Sequence, residues 1–315
     1  MAQESLKEFL MRTASEDKWK RIGTQPRAGL LVPLFSVYSK QSAGIGDLGD
    51  LKLLIDWAAL TGNSILQLLP MNEVGGFFCP YDAISSFALE PMYVCLEAIP
   101  ACKKKAFKEK LDHIKREFPL PQKHVDYRIK QEKSSVLWDI FTHEKIPDSV
   151  KFTKFKEENQ YWLLDFAFFK VLKAFHHGRP WGEWQEQYRD RHTQALVNFA
   201  RIHKKEIDFH MWAQWILCAQ FKEAKKYAKE KKVLLKGDLP ILAAFDSADV
   251  WAHPEFFKLE FAAGAPPDMY CEKGQRWGRK KGRKGIHIPR MGTMVRSLCQ
   301  TWSGLLAVTV RPEEV

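Results

Sequence analysis

The chain has 315 residues, 45% hydrophobic and 28% charged, an ordinary balance for a globular protein with a sizeable core. No apolar run approaches the ~20 residues needed to span a bilayer. The opening Met1-Ala2-Gln3-Glu4-Ser5 lacks the basic and apolar regions of a secretion signal, so a cytoplasmic protein is expected. The net charge of +11 is uneven, because residues 279–315 hold eight Lys/Arg against two Glu. A second basic run, Lys103–Lys133, has eleven Lys/Arg against five acids and few aromatics, the composition of a solvated face. No nucleic-acid-binding signature accompanies either run, so neither nucleic acid nor membrane is expected as a partner. The six cysteines (Cys79, Cys95, Cys102, Cys218, Cys271 and Cys299) form no C-x-x-C pair, which argues for reduced thiols.

In chain order, residues 1–27 are polar and mixed, with room for one short helix. Ala28–Phe35 is a continuous apolar run, the form of a strand buried on both faces. Ser42–Gly49 is a glycine-rich loop, and Asp47 and Asp50 are both plausible caps for the helix after it. Leu51, Leu54, Ile55 and Ala58 then recur at helical spacing, and Gly62 fits a stop. Ser64–Pro70 reads as a second buried strand, so the sheet is expected to be parallel. From Leu96 to Lys231 the pattern is mostly helical, with a polar loop near Pro119–Ser135, a buried helix over Tyr161–Phe175 and a long amphipathic one over Phe209–Lys229. Val233–Lys236 leads into Gly237-Asp238-Leu239-Pro240 as a third strand. The long gap before it implies an inserted helical subdomain. Residues 279–315 change character again, starting with Arg279-Lys280-Lys281-Gly282-Arg283-Lys284-Gly285. They read as a foreign ending, such as a shifted reading frame produces, or as a natural basic tail.

Ligand sites of parallel sheets gather at the C-terminal ends of strands. Those ends offer Ser36 with the Ser42–Asp47 loop, then Gln67, Pro70 and Cys79-Pro80-Tyr81-Asp82, then Asp238 and Pro240. Carboxylates hydrogen-bond sugar hydroxyls, and aromatic rings cover the C–H face of a pyranose. Asp47 and Asp238 could equally cap or brace turns. Asp246 and Asp249 flank a short helix start, where at least one would cap. Trp162, Trp181, Trp184, Trp212 and Trp215 sit on helical segments and are expected to pack. His176, His177, His203 and His210 have no partners at metal-ligand spacing, so no metal is expected. Gly44-Ile45-Gly46-Asp47-Leu48-Gly49 matches G-x-G-x-x-G, but no acidic residue closes the following strand, and a dinucleotide is not expected.

Together the motifs resemble glycoside hydrolase family 77, the amylomaltases or 4-α-glucanotransferases. The matching pieces are Ser42–Gly49, Gln67–Pro70, Pro80-Tyr81, Gly237–Pro240 with Asp246–Trp251, and Pro266-Pro267-Asp268 to Trp277-Gly278. The resemblance implies an α/β fold that is the N-terminal part of a (β/α)8 TIM-type barrel, incomplete here, with a large inserted helical subdomain. It divides the chain into first barrel elements (1–95), helical insertion (96–231), third strand with substrate loops (232–278) and atypical tail (279–315). It implies glucan transfer between maltooligosaccharides or other α-1,4-glucans by retaining double displacement, without a cofactor.

By the same resemblance Tyr81, Asp238, Pro240, Asp268 and Trp277 belong to the substrate site, with Gly274 and Gln275 shaping the loop that carries Trp277. Cys79 stands where the family usually has Ser, and Glu90 where it has Asn. The family's nucleophile and acid/base would follow Gly278, and no segment of Arg279–Val315 matches them. The chain is therefore expected to be inactive alone. A glucan-binding or inert fragment, or an α-amylase-like hydrolase, are the alternative readings.

Overall fold

The computed structural model describes residues 6–76, 78–144, 150–238, 240, 243–260, 263–276 and 286–287. Three short strands, β1 (Gly29–Leu31), β2 (Ile65–Gln67) and β3 (Leu234–Lys236), form a parallel sheet in the order β1-β2-β3. Gly29 lies opposite Ile65, and Ile65 opposite Leu234, so the three strands run in step. The parallel expectation holds, as do all three strand positions.

The first strand departs from its expected form. It is three residues long, not eight, and Leu31 is 55% exposed. Pro33 carries no amide hydrogen for a ladder, and the chain turns into a 3-10 helix at Leu34–Ser36. Among the described residues β1 pairs only with β2, which leaves its other side an edge.

Helix Leu48–Leu60 connects β1 to β2 and buries Leu48, Leu51, Ile55 and Ala58. Asp47 is its N-cap, accepting from the Gly49 amide at 2.8 Å, while Asp50 accepts from the Asp47 amide at 3.0 Å. Both aspartates serve one reciprocal capping box. Gly46 is held by packing: a Cβ there would come 2.1 Å from the carbonyl oxygens of Leu34 and Val37. The glycine pattern thus has a local explanation that needs no nucleotide.

Between β2 and β3 the chain is mainly helical, with helices at Lys105–Glu117, Ile129–His143, Val150–Glu158, Leu163–Phe175, Thr193–Ile202 and Lys204–Glu230. The polar loop is shorter than expected. Ile129 opens a helix whose buried positions, Ile129, Lys133, Val136, Leu137 and Ile140, keep helical spacing. The 27-residue helix Lys204–Glu230 lies against both Leu163–Phe175 and Leu48–Leu60. One contiguous cluster of buried side chains runs from Leu34 to Phe257. Trp162, Trp181, Trp184 and Trp212 are buried in it and Trp215 is packed against it, as packing roles require.

Past β3, β4 (Ala243–Ala244) pairs antiparallel with β7 (Ile286–His287), and β5 (Gly264–Ala265) pairs antiparallel with β6 (Gln275–Arg276). No helix of the described residues is long and apolar enough to cross a membrane.

Candidate functional site

The loop after β2 folds back on itself through antiparallel bridges between Asn72 and Leu89 and between Val74 and Ala83. Its tip carries Cys79-Pro80-Tyr81, and the chain leaving β3 carries Asp238. Tyr81 donates its phenolic hydrogen to Asp238 Oδ2 at 2.8 Å, across 157 residues of sequence. This bond is the largest of the effects that raise the Tyr81 pKa above its ordinary value. Tyr81 is 45% exposed, so ring and carboxylate meet at an accessible surface. Such a pair offers a flat aromatic face beside an acceptor for hydroxyl groups.

The other expected site residues fall into two groups. Pro240 is buried two residues past Asp238. Asp268, Gly274 and Gln275 share the small β5–β6 hairpin. There Asp268 Oδ1 accepts the amides of Tyr270 and Cys271 at 2.8 and 2.7 Å, bracing its own turn. Gly274 has φ of +66°, and a Cβ on it would meet the Ala265 carbonyl oxygen at 2.6 Å, so glycine is required there. Gln275 is exposed and pairs with Ala265. Trp277 lies outside the described residues.

Asp246 and Asp249 do not cap the helix that follows them. Its cap is Ser247, whose hydroxyl accepts from the Val250 amide at 3.3 Å. Asp246 pairs with Lys173 and accepts the Trp181 amide at 3.2 Å. Asp249 is turned toward the Tyr81 loop and accepts the Ser86 amide at 2.6 Å. Capping needs only a short oxygen at the right backbone angle, and serine supplied it.

Beside this region is a cavity of about 640 Å³ whose walls include Phe78, Tyr127, Glu73, Lys130, Lys170 and His210. Glu73 and Glu90 are both completely buried, and Lys130 lies 2.8 Å from Glu90 and 3.5 Å from Glu73. Lys170 forms a second ion pair with Glu73. Burial alone would raise the Glu73 pKa, but Lys170 and Lys130 outweigh it and hold it below the usual range. For Glu90 burial prevails over Lys130 and the pKa is raised. His210 is pushed down to about 3 by burial and then by Lys170, so its imidazole is neutral at physiological pH. The partners lie far apart in the sequence, Glu73 and Lys170 by 97 residues, and no local motif marks the network.

A parallel sheet whose strands are linked by helices, with an aromatic–carboxylate pair beyond its C-terminal strand ends, defines an α/β protein. The family model for 4-alpha-glucanotransferase, glycoside hydrolase family 77, matches residues 32–280, and the chain belongs to that family. It is 35% identical over 277 residues to the 4-alpha-glucanotransferase of Chlamydia pneumoniae, covering 85% of this chain and 51% of that protein. It is 38% identical over 261 residues to the 4-alpha-glucanotransferase DPE2 of Oryza sativa subsp. japonica, covering 80% of this chain and 27% of that one. The chain thus spans about half, or less, of the length of these relatives. Among solved structures, the amylomaltase of Corynebacterium glutamicum superposes with a TM-score of 0.72 at 21% identity, covering 92% of this chain and 40% of its own. The amylomaltase of Streptococcus agalactiae in complex with acarbose gives 0.70 at 24% identity, with 88% and 56% covered. These likenesses establish the α/β fold.

Proposed function

We propose that the chain forms part of the sugar-binding face of a 4-α-glucanotransferase, in which Tyr81 and Asp238 contact a glucose unit of an α-1,4-glucan. The observation that carries this reading is the Tyr81–Asp238 bond at the strand ends of a family member. A carboxylate is an acceptor suited to sugar hydroxyls, and the neighbouring ring can cover a pyranose face. The hairpin with Asp268, Gly274 and Gln275 is read as a second wall carrying Trp277, and Pro240 as a brace for the Asp238 turn.

The three parallel strands are read as the opening of a (β/α)8 barrel, which needs eight. The helices between β2 and β3 are read as its inserted subdomain. The setting is read as cytoplasmic, where the cysteines would remain reduced.

Retaining transfer needs a nucleophile and an acid/base about 5–5.5 Å apart. In this reading neither lies in this sequence, no cofactor takes part, and the chain by itself binds glucan without transferring it. Incubation with maltotriose tests this: no free glucose and no longer oligosaccharides are expected. Glucose release with longer products would overturn the inactive reading, and shortening without transfer products would point to a hydrolase. Failure to bind maltoheptaose would overturn the sugar-face reading itself.

A further inference from the structure

We propose that Asp249 is a positioning residue for the Tyr81–Asp238 pair, its partly buried carboxylate fixing the loop that carries Tyr81 against the chain leaving β3. The inference rests on the glucan-site reading above and assigns that site a residue which itself touches no sugar. Two chain segments meet here, 79–88 and 238–251, and among the described residues their contacts include two junctions. One is the accessible Tyr81–Asp238 bond. The other, five residues further along the loop, is partly buried, with Ser85 and Ser86 themselves 1% and 2% exposed. There the Ser86 amide donates to Asp249 Oδ2 at 2.6 Å, and the Ser85 hydroxyl stands 3.5 Å from Asp249 Oδ1. Next to it the Ala248 amide donates to the Ile84 carbonyl at 2.8 Å.

The second junction is rigid on both sides. On the loop side the Ser85 hydroxyl accepts the amides of Phe87 and Ala88 at 3.1 and 3.2 Å, and Asn72 donates to the Ser85 carbonyl at 3.2 Å. On the helix side Ser247 is fully buried and caps the turn, and Trp251 is 1% exposed and donates to the Tyr188 carbonyl at 3.0 Å. An exposed hydrogen bond between neutral and charged side chains contributes little once water competes for both groups. The partly buried one, with a carboxylate accepting a short bond from the buried Ser86 amide, holds more firmly. Asp249 therefore decides where Tyr81 stands, and Tyr81–Asp238 reports the result. A carboxamide of the same size keeps an acceptor oxygen for the Ser86 amide, so asparagine should substitute and alanine should not.

The test uses the full 315-residue chain with tyrosine labelled at the ring carbon that bears the hydroxyl. NMR titration follows each phenol, and Tyr81→Phe assigns the Tyr81 signal. In the wild type Tyr81 should titrate above the ordinary value of about 10, and Asp238→Asn should bring it back. Asp249→Ala should likewise return Tyr81 toward about 10 and weaken maltoheptaose binding about tenfold, while Asp249→Asn preserves both. A folded Asp249→Ala chain whose Tyr81 titration is unchanged overturns the inference. If the wild type binds no maltoheptaose, the glucan reading fails, yet the Tyr81 titration still decides the role of Asp249. Should Asp249→Ala lose its cooperative melt, hydrogen exchange on the wild type decides instead. The amides of Ile84, Ser86 and Ala248 should open together as one unit; opening of the loop while Ala248 stays protected overturns the proposal.

Discussion

The ammonium nitrogen of Lys133 lies 3.3 Å from Asp47 Oδ2 and donates to the carbonyl oxygens of Met92 and Val94, each at 2.9 Å. Neither charge reaches solvent to any useful extent, since Lys133 is 0% exposed and Asp47 3%. Burial raises the Asp47 pKa, and Lys133 opposes it. The glycine-rich loop, the 92–94 turn and helix Ile129–His143 are thus pinned by one side chain.

Removing that side chain should be severe. Lys133→Ala strands a buried carboxylate and two carbonyl oxygens, which is expected to cost about 3–5 kcal/mol. Replacing both partners, as Asp47→Asn with Lys133→Met, should cost clearly less than Lys133→Ala, because no buried charge is left alone. Urea unfolding with unchanged slope measures both. Equal losses would mean that the pair does not dominate the stability of this corner.

A second expectation concerns acid. The folded His210 pKa of about 3 lies below the unfolded value of about 6.5, so below pH 6.5 the unfolded chain binds a proton that the folded chain refuses. Stability from this group is therefore present above pH 6.5 and is lost as pH falls toward 3, at up to about 1.4 kcal/mol per pH unit. Asp47, Asp249 and Glu90, with raised pKa values, act in the opposite sense, so the total curve does not isolate the histidine. The difference between wild type and His210→Gln does. The variant should be less stable near pH 7, and the gap should narrow by about 2–3 kcal/mol by pH 4.5. Parallel curves would remove His210 from the account.

Thiol chemistry gives a third expectation. Cys79 is exposed two residues before Tyr81, whereas Cys102 and Cys218 are buried. Burial pushes the Cys95, Cys102 and Cys218 thiols up to about 12, 11 and 12, which suppresses their thiolates near neutral pH. Among these four, Cys79 should be alkylated first in the native chain, with the others reacting only after unfolding. Peptide mapping after a short iodoacetamide pulse reads this. Saturating maltoheptaose should slow Cys79 labelling several-fold if the sugar lies over Tyr81.

What could be read from the sequence follows from the range of the interactions involved. The strands at residues 65–67 and 234–236 and the Asp47 cap announce themselves locally, through apolar runs and a short polar oxygen before a helix. Tyr81 and Asp238 could be nominated separately because each sits in a loop marked by proline or glycine beside a strand end. Their bond spans 157 residues and only the fold could reveal it. The Glu73–Lys170 pair spans 97 residues, and with nothing local to mark it the charge network stayed hidden. Asp249 reads as a possible cap in the sequence because a helix start makes every nearby carboxylate look like one. Its true partner, the Ser86 amide, is 163 residues away. The over-long first strand came from counting apolar residues past Pro33, which cannot continue a ladder.

The most direct expectation for the site concerns its two ends. Tyr81→Phe keeps the ring and removes only the hydroxyl, while Asp238→Ala removes the acceptor. If a glucose unit stacks on the ring and bonds the carboxylate, Asp238→Ala should weaken maltoheptaose binding about tenfold or more, the effect of losing hydrogen bonds to a charged group. Tyr81→Phe should do less, because the apolar face survives and the Asp238 carboxylate can still accept from the sugar. Tyr81→Ala, which deletes the face, should approach Asp238→Ala in its effect. Isothermal titration on the folded 315-residue variants separates these cases. The order Asp238→Ala, then Tyr81→Ala, then Tyr81→Phe supports direct contact with both groups. Equal, small effects from all three would place the sugar elsewhere and leave the Tyr81–Asp238 bond a purely structural tie between the loop and the sheet.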